Sequence, residues 1–304
     1  MRGQPVRVAA IDCGTNTIKL LVLDTDGADL EREMRIVRLG QDVDRTGRLA
    51  EEALERTFAA VEEYAALVAR HDVDRVRFCA TSATRDAANA ADFAAGVRAR
   101  LGVAPEVVSG DEEAALAWAG ATRGLPGLTG PLVVLDIGGG STELVLGSGA
   151  TPDAAHSMDI GSVRMTERHL RSDPPSTDEV AACLADVEAA LDACPVDPGA
   201  AVTLVGVAGT VTTLAAGVIG LTAYDRSATH GARLPVAQVH ALCDRLVGST
   251  AAERAEMAWL HPGRADVIAA GALVLSRVLA RSRVSELVVS EADILDGIAW
   301  SLRE

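Results

Sequence analysis

Two segments of the chain share a spacing of acid, glycine and hydroxyl residues that suits phosphate binding. Residues 8–24 and 131–147 each read as an apolar run ending in Asp, a turn of small residues, and a second apolar run. The pairs that coincide at one constant offset are Asp12 with Asp136, Gly14 with Gly138, Thr17 with Ser141, Leu20 with Leu144 and Val22 with Leu146. An internal repeat of this length predicts two related halves.

The turns supply the donors that a phosphate group requires. Glycines let backbone N–H groups approach an anion closely, and hydroxyl or amide side chains add further donors to the concave site. The residues that we predict to bind phosphate are Thr15, Asn16, Thr17, Gly138, Gly139, Gly140, Ser141 and Thr142. No Gly-Lys-Ser/Thr follows the glycines and the next segment reads as a strand, so these are hairpin turns rather than a nucleotide-binding P-loop. The alternative is a pair of ordinary turns that only join strands.

The two aligned acids predict a cation. A carboxylate at the end of a strand cannot bind phosphate directly, but it can hold a divalent metal or the waters around it. Asp12 and Asp136 therefore indicate a cation with hard oxygen ligands, for which Mg²⁺ is suited.

A helix start near residue 109 offers a catalytic base. Ser109 is followed three residues later by Glu112, the spacing of a capping box in which Glu112 reaches back to the Ser109 N–H. Glu113 would then point about 100° around the helix and stay free. The positive end of the helix dipole favours its ionised form, so Glu113 is our candidate for a base that orients water. The alternative is a group of acids that serves only the helix dipole.

Composition excludes several classes of protein. The net charge of −15 is the wrong sign for a protein that binds a nucleic-acid duplex or a membrane surface, and few aromatic residues are present for stacking on single strands. The five cysteines have no metal-binding spacing, and no signal peptide is evident, which favours a reducing cytoplasm. Cys13, inside the first turn, is interpreted as a small packing residue, with a redox role as the alternative. The charge-free run between Asp197 and Asp225 is broken by Gly and Thr, so we predict buried core rather than a membrane span.

Periodicity predicts alternating strands and helices, and hence an α/β fold. The predicted helices cover residues 51–70, 86–101, 177–193 and much of 235–281, the predicted strands cover 76–80, 106–108, 132–135, 202–207 and 287–290, and residues 34–50 read as a polar connector. The Gly- and Pro-rich stretch 120–131 is typical of a domain junction. We therefore predict domains at 1–125 and 126–304 on either side of a cleft, with a terminal helix at about 294–304 that packs back on the first domain.

Eight motifs span almost the whole chain: DCGTNTIKLLV, RLGQDVDRTGRL, ATSATRDAAN, SGDEEA, LDIGGGSTELVLG, GVAGT, HPGRADVIAAGALVL and VSEADILDGIAW. Together and in this order they resemble the exopolyphosphatase and guanosine pentaphosphate phosphatase family, in a short form without the extra helical C-terminal region of longer members. The resemblance implies duplicated ribonuclease-H-like domains of the actin and sugar-kinase superfamily. It also implies release of terminal orthophosphate from inorganic polyphosphate, with guanosine pentaphosphate as the alternative substrate, by a homodimer that uses Mg²⁺ or Mn²⁺. Composition adds the expectation of a cytoplasmic protein that engages neither nucleic acid nor membrane.

The resemblance also assigns site residues. It implies that Glu113 is the base that activates water, in agreement with its place at the helix start, and that Arg85 grips a phosphate oxygen. Glu143 joins Asp136 and Asp12 as a metal or water-orienting acid, whereas Lys19, at the equivalent position of the first hairpin, is left outside the predicted site. A kinase of the same superfamily and a non-catalytic sensor of polyphosphate or guanosine pentaphosphate are the alternatives in other functional classes.

Overall fold

The computed structural model describes residues 6–125 and 127–303, which form two mixed β-sheets flanked by helices. The strands are β1 (Val8–Cys13), β2 (Thr17–Leu23), β3 (Asp29–Ile36), β4 (Arg75–Ala80), β5 (Glu106–Val107), β6 (Leu132–Ile137), β7 (Thr142–Gly147), β8 (Ala154–Met158), β9 (Thr203–Val207), β10 (Arg233–Pro235) and β11 (Glu286–Val289). The helices are α1 (Val43–Thr46), α2 (Glu51–Arg70), α3 (Ser82–Arg85), α4 (Ala90–Leu101), α5 (Gly110–Gly124), α6 (Ser162–His169), α7 (Thr177–Ala193), α8 (Ala208–Ile219), α9 (Arg226–Thr229), α10 (Val236–Gly248), α11 (Ala251–Ala255), α12 (Ile268–Arg281) and α13 (Ile294–Ser301).

The two sheets repeat one strand order. The first runs β3-β2-β1-β4-β5, and the second runs β8-β7-β6-β9-β11 with β10 added at its edge. In each sheet the central strand pairs antiparallel with the next strand along the chain and parallel with the strand that follows the meander. The predicted α/β class with duplicated halves is therefore confirmed.

Two predicted elements are wrong in detail. The first residues of the connector predicted at 34–50 belong to β3. This edge strand has charged, mostly half-buried residues, so its sequence lacks the apolar pattern by which a strand is recognised. The helix predicted at 86–101 starts only at Ala90, because residues 82–85 form the separate helical turn α3 directly after β4. Arg85 ends that turn and is thereby held close to the carboxyl end of the central strands.

Helices α5 and α13 cross between the two sheets. Leu116 of α5 packs with Ile298 of α13 and the inner residues of β1 and β2, while Trp118 packs against β6, β7 and β9. The crossing is close: a Cβ on Gly120 would lie 1.9 Å from the carbonyl oxygen of Asp293, and one on Gly297 would lie 2.0 Å from that of Leu116. The position of the domain boundary stays a prediction, since Pro126 lies outside the described residues.

The charge-free run is mostly buried core, as predicted. Every residue of β9 and residues 210–216 of α8 are buried, whereas Val202, Ile219 and Tyr224 are exposed. Among residues 6–125 and 127–303, no helix has both the length and the apolar character needed to cross a membrane.

Candidate active site

The two repeated hairpins have the same turn geometry. The amide of Gly14 donates to the Thr17 carbonyl at 2.9 Å, and the equivalent amide of Gly138 donates to the Ser141 carbonyl at 3.0 Å. Each turn follows a strand whose residues are all buried, so its position relative to the sheet is fixed by the core. The sequence repeat is thus also a repeat of hydrogen bonding.

The turns meet across a pocket between the halves. Predicted site residues in its wall are Asp12, Thr15, Asn16, Thr17, Glu113, Asp136, Gly138, Gly139 and Ser141. The turns are in van der Waals range, because a Cβ on Gly139 would lie 2.9 Å from the Thr15 Cβ and one on Gly140 would lie 2.5 Å from the Thr15 Oγ1. Glycine is therefore required where the second turn faces the first.

Four predicted residues lie behind the pocket wall. Gly140 contacts Thr15, and the Thr142 hydroxyl donates to the Ile160 carbonyl, a contact within the second half. Glu143 accepts a hydrogen bond from the Ser157 hydroxyl at 2.7 Å, and Arg85 binds Glu113. The phosphate-binding and catalytic roles assigned to all of the predicted residues stay predictions.

Strand register determines which charges face each other. Asp12 pairs with Lys19 across β1 and β2, and Asp136 pairs with Glu143 across β6 and β7. Directly opposed residues of antiparallel strands project from the same face of the sheet. The first hairpin therefore presents a carboxylate beside a lysine ammonium group, whereas the second presents two carboxyl groups side by side.

Lys19 neutralises acids from both ends of the chain. Its Nζ lies 2.7 Å from Asp293 Oδ2 and 3.3 Å from Asp12 Oδ2. Burial by itself lowers the pKa of Lys19, but the carboxylates of Asp293 and Asp12 raise it well above its usual value. For Asp293, burial by itself raises the pKa, and Lys19 lowers it below its usual value.

Asp136 and Glu143 have no comparable partner. In the described part of the chain neither carboxylate forms an ion pair, and both are buried. Burial, reinforced by the charge of Asp293, raises the pKa of Asp136 to about 8. Burial and the nearby Glu113 also raise the pKa of Glu143 well above its usual range. Burial without a cationic partner therefore favours the protonated form of both carboxyl groups.

Glu113 is held at the start of α5, but not in the way that the capping box predicted. Ser109 accepts a hydrogen bond from the Glu112 amide, whereas the Glu112 carboxylate binds Arg77 at 2.6 Å instead of reaching back to Ser109. The expectation that Glu113 is free is also wrong, because Arg85 Nη1 donates to Glu113 Oε2 at 2.8 Å. Burial raises the pKa of Glu113 even though Arg85 lowers it.

Sequence reasoning missed three charged residues around the pocket: Lys19, Arg264 and Asp293. Lys19 was detectable as a lone charge in an apolar strand at the position equivalent to Glu143. The Arg264 guanidinium lies against Gly209, where a Cβ would come within 1.8 Å of Nη1. It forms no hydrogen bond or ion pair with side chains of the described residues, although it lines the pocket.

The N-terminus of α8 faces the same pocket. Ala208, Gly209 and Thr210 line it, and Ala208 adopts a φ of 64°, which turns the chain sharply from β9 into the helix. A helix N-terminus presents unpaired N–H groups and the positive end of a dipole, and both favour an anion. Together with the unpaired guanidinium of Arg264, this end of the pocket is suited to a phosphate group.

The oxygen atoms present fit a hard divalent cation. Asn16 Oδ1 is buried without a hydrogen-bond partner, and Asp136 and Glu143 share one sheet face. Within the described residues, no three or more His, Cys, Asp or Glu side chains form a group that could hold a metal by themselves. Mg²⁺ is commonly held by one or two carboxylates together with waters and substrate phosphates, which this pair satisfies, whereas Asp12 is engaged by Lys19.

Comparison with known proteins agrees with this geometry. The sequence profile of the Ppx/GppA phosphatase family matches residues 22–303. Exopolyphosphatase 2 of Mycobacterium tuberculosis is 49% identical over 316 aligned positions, which cover 97% of this chain and 98% of the relative. Among solved structures, an exopolyphosphatase-like protein superposes with a TM-score of 0.95 at 45% identity, covering 98% of this chain and 99% of that one. The Aquifex aeolicus member of the Ppx/GppA family superposes with a TM-score of 0.82 at 32% identity, with 98% of both chains covered.

We predict that Lys19→Met destabilises the fold by about 3–5 kcal/mol at neutral pH, the usual cost of leaving a buried charge unpaired. The orphaned carboxyl groups of Asp12 and Asp293 would then have pKa values above those of the unfolded chain. Their protonated forms stabilise the folded state at low pH, and this contribution is lost as the pH rises, so the loss is larger at pH 8 than at pH 5. Chemical denaturation at both pH values measures the difference.

The matched control is the double variant Lys19→Met with Asp293→Asn. It removes one orphaned charge and keeps an amide that can cap α13. Recovery of part of the lost stability is expected, and a double variant no more stable than Lys19→Met would contradict the assigned ion pair.

Proposed function

The chain belongs to the Ppx/GppA phosphatase family, and we propose that it hydrolyses the terminal phosphoanhydride bond of inorganic polyphosphate and releases orthophosphate. The observation that carries this proposal is the position of Glu113. Its buried carboxylate lies in the wall of the pocket into which both phosphate-type turns face. A phosphate group between the turns would place its phosphorus within reach of a water held by this carboxylate.

Positioning and charge account for most of the expected rate enhancement. Phosphoryl transfer depends mainly on placing the reacting groups and on stabilising charge on the phosphate oxygens. The turn amides, the N-terminus of α8 and the guanidinium of Arg264 provide donors and positive charge around the pocket. These groups would bind the terminal phosphate, and the rest of the polyphosphate would extend out through the open side of the cleft.

Glu113 is suited to act as the base that orients the attacking water. Its pKa is raised by burial, which brings it closer to neutrality and strengthens it as a proton acceptor. Arg85 holds the carboxylate in place and opposes that rise in pKa, which favours the ionised form that a base requires. We propose that Glu113 accepts the proton of the water as it attacks the terminal phosphorus.

We propose Mg²⁺ as the cation, held by Asp136 and Glu143 with Asn16 nearby. When bound, the ion would neutralise negative charge on the substrate phosphates. Support comes from the pair of buried carboxyl groups without a cationic partner in the described residues and from the unsatisfied Asn16 Oδ1. Mn²⁺ and a homodimer are proposals that rest on the family resemblance, and the cytoplasm as the compartment is a proposal that rests on the pattern of cysteines.

Replacing Glu113 with Gln should lower kcat for tripolyphosphate by at least ~100-fold, because the variant keeps the shape of the side chain but cannot accept a proton. Orthophosphate release under saturating substrate measures the effect. Glu112→Gln is the matched control, since this neighbouring acid points away from the pocket to Arg77, and its kcat should stay within about twofold of wild type.

Two outcomes of the phosphate-release assay would contradict parts of this proposal. Near-normal turnover by Glu113→Gln would remove Glu113 from the role of base. Tight polyphosphate binding by the wild-type protein with no phosphate released, in either Mg²⁺ or Mn²⁺, would favour the sensor over the hydrolase.

Binding of Mg²⁺ should release protons at pH 7, because Asp136 with a pKa of about 8 must ionise to bind it, and the raised pKa of Glu143 adds to the release. The contribution of Asp136 to proton release should fall as the pH rises above 8. Titration calorimetry in two buffers of different ionisation enthalpy counts these protons, and Asp136→Asn should release fewer. Equal heats in the two buffers at pH 7 would refute this assignment of the cation site.

A second substrate, guanosine pentaphosphate, is favoured by a cavity that adjoins the phosphate pocket. The cavity of about 430 Å³ shares Lys19, Gly209 and Arg264 with the pocket, and its other walls include the rings of Trp259 and Tyr224. Aromatic walls next to cationic side chains suit a nucleobase linked to phosphates.

Ala258→Trp tests this second substrate, because Ala258 lines the cavity with an exposed side chain and a Trp there would fill the space. We expect kcat/KM for guanosine pentaphosphate to fall at least ~10-fold, which is the usual effect of losing one good contact in a pocket. For tripolyphosphate, kcat/KM should stay within about twofold of wild type. Ala252→Trp, also exposed but outside the cavity, is the control. An equal effect on both substrates, or no effect, would exclude the cavity as a nucleoside site.

A further inference from the structure

Arg164 of α6 joins three parts of the molecule through one guanidinium group. Its Nε donates to the Gly140 carbonyl at 2.7 Å, and its Nη1 donates to Asp44 at 2.6 Å. Its Nη2 forms a short hydrogen bond to Asp86. The side chain is 11% exposed, so this is not a solvated surface ion pair of the kind that contributes little. A third acid, the exposed Asp159, lies 3.8 Å from Nη2 without a hydrogen bond. Neither Arg164 nor the two acids to which it donates hydrogen bonds belongs to the predicted site.

The segment around Arg164 also orients the backbone of the second phosphate turn. The amide of Ser162 donates to the Gly138 carbonyl at 3.0 Å, and the amides of Val163 and Arg164 donate to the Gly139 carbonyl at 2.8 and 3.0 Å. With the Gly140 carbonyl bound by the guanidinium, three successive carbonyls of the turn point towards α6. Because α6 binds these carbonyl oxygens, the N–H groups of the turn remain to face the pocket, where they can bind an anion.

The two acids bound by Arg164 lie in the other half of the molecule. Asp44 is in α1, and Asp86 directly follows Arg85, the residue that holds Glu113. The guanidinium therefore crosses between the halves at the place where Thr15 of the first turn contacts Gly139 of the second. One side chain is thus bonded both to the second turn and to the segments that carry the first half of the site.

We propose that Arg164 is a positioning residue that ties the conformation of the second phosphate turn to closure of the two halves, an inference that rests on the proposed phosphohydrolase function. A guanidinium can do this because its planar fork holds several acceptors in fixed directions, which the single ammonium of a lysine cannot. Separation of the halves would take Asp44 and Asp86 away from Arg164, and the guanidinium would lose the two acids that hold it in the orientation in which it binds the Gly140 carbonyl.

Arg168 provides a matched control within the same helix. It binds the same Asp44 at 2.9 Å and Asp186 of its own half at 2.6 Å, but it makes no hydrogen bond to the turn. Arg168→Gln therefore removes one cross-cleft charge pair while leaving the Gly140 contact in place. A loss of activity in this variant equal to that in Arg164→Gln would mean that charge alone matters and would overturn the proposal.

The kinetic test compares Arg164→Gln, Arg164→Lys and Arg168→Gln with tripolyphosphate and Mg²⁺. We expect kcat to fall roughly 10- to 100-fold in both Arg164 variants with KM changed by less than about threefold, since small misplacements of a bound phosphate affect the transition state most. Arg168→Gln should keep kcat within about twofold. Restoration of kcat by the lysine variant, or normal kcat in Arg164→Gln, would overturn the proposal. If Arg164→Gln does not fold, Asp86→Asn replaces it and should lower kcat more than Arg168→Gln.

Hydrogen exchange supplies a readout that does not depend on catalysis. Without substrate, the hydrogen-bonded amides of Gly138, Ser162 and Val163, which fix the second turn, should exchange at least ~10-fold faster in Arg164→Gln than in wild type, and at the wild-type rate in Arg168→Gln. Unchanged exchange in Arg164→Gln would overturn the positioning role. An inactive wild-type protein would refute the proposed function instead, and the exchange result would still decide what Arg164 does.

Discussion

Burial of carboxylates beside the pocket between the two turns is the constraint on which the rest of this structure depends. Removing a charged group from water costs several kcal/mol unless a partner of opposite charge is near. Lys19 compensates two of the acids and Arg85 compensates Glu113, whereas Asp136 and Glu143 lack such a partner in the described residues. Their raised pKa values express that imbalance, and a divalent cation beside them would relieve it.

The duplication explains why the halves resemble each other in backbone but differ in charge. Both hairpins repeat the same strand pairing and the same turn hydrogen bond, so the phosphate-type turn is present twice. The charge of the two hairpins differs at one position of the second strand, because Lys19 faces Asp12 in one half and Glu143 faces Asp136 in the other. The first half holds its acid in an ion pair, and the second is left with the acids suited to a metal.

The close approach of the two turns depends on contacts that lie outside the turns. Helices α5 and α13 cross at two glycines between the sheets, which lets the cores of both halves approach each other. At the pocket itself, Gly139 and Gly140 let the second turn contact Thr15 without a clash. Arg164 then bonds the second turn to the first half, so packing and hydrogen bonding act on the same few residues.

Local pattern was enough to predict the central strands, the two turns and the α/β class, because these depend on neighbours in the chain, whereas the edge strands β3, β8 and β10 were not predicted. The repeat of acid, glycine and hydroxyl even predicted which turn atoms would be equivalent. Tertiary structure alone decided the charge partners. Arg85 binds Glu113 because α3 ends beside the start of α5, and Lys19 meets Asp293 because α13 returns to the first sheet. Such contacts join residues far apart in sequence, so no local spacing records them, and they determine which acids have a raised pKa and which a lowered one.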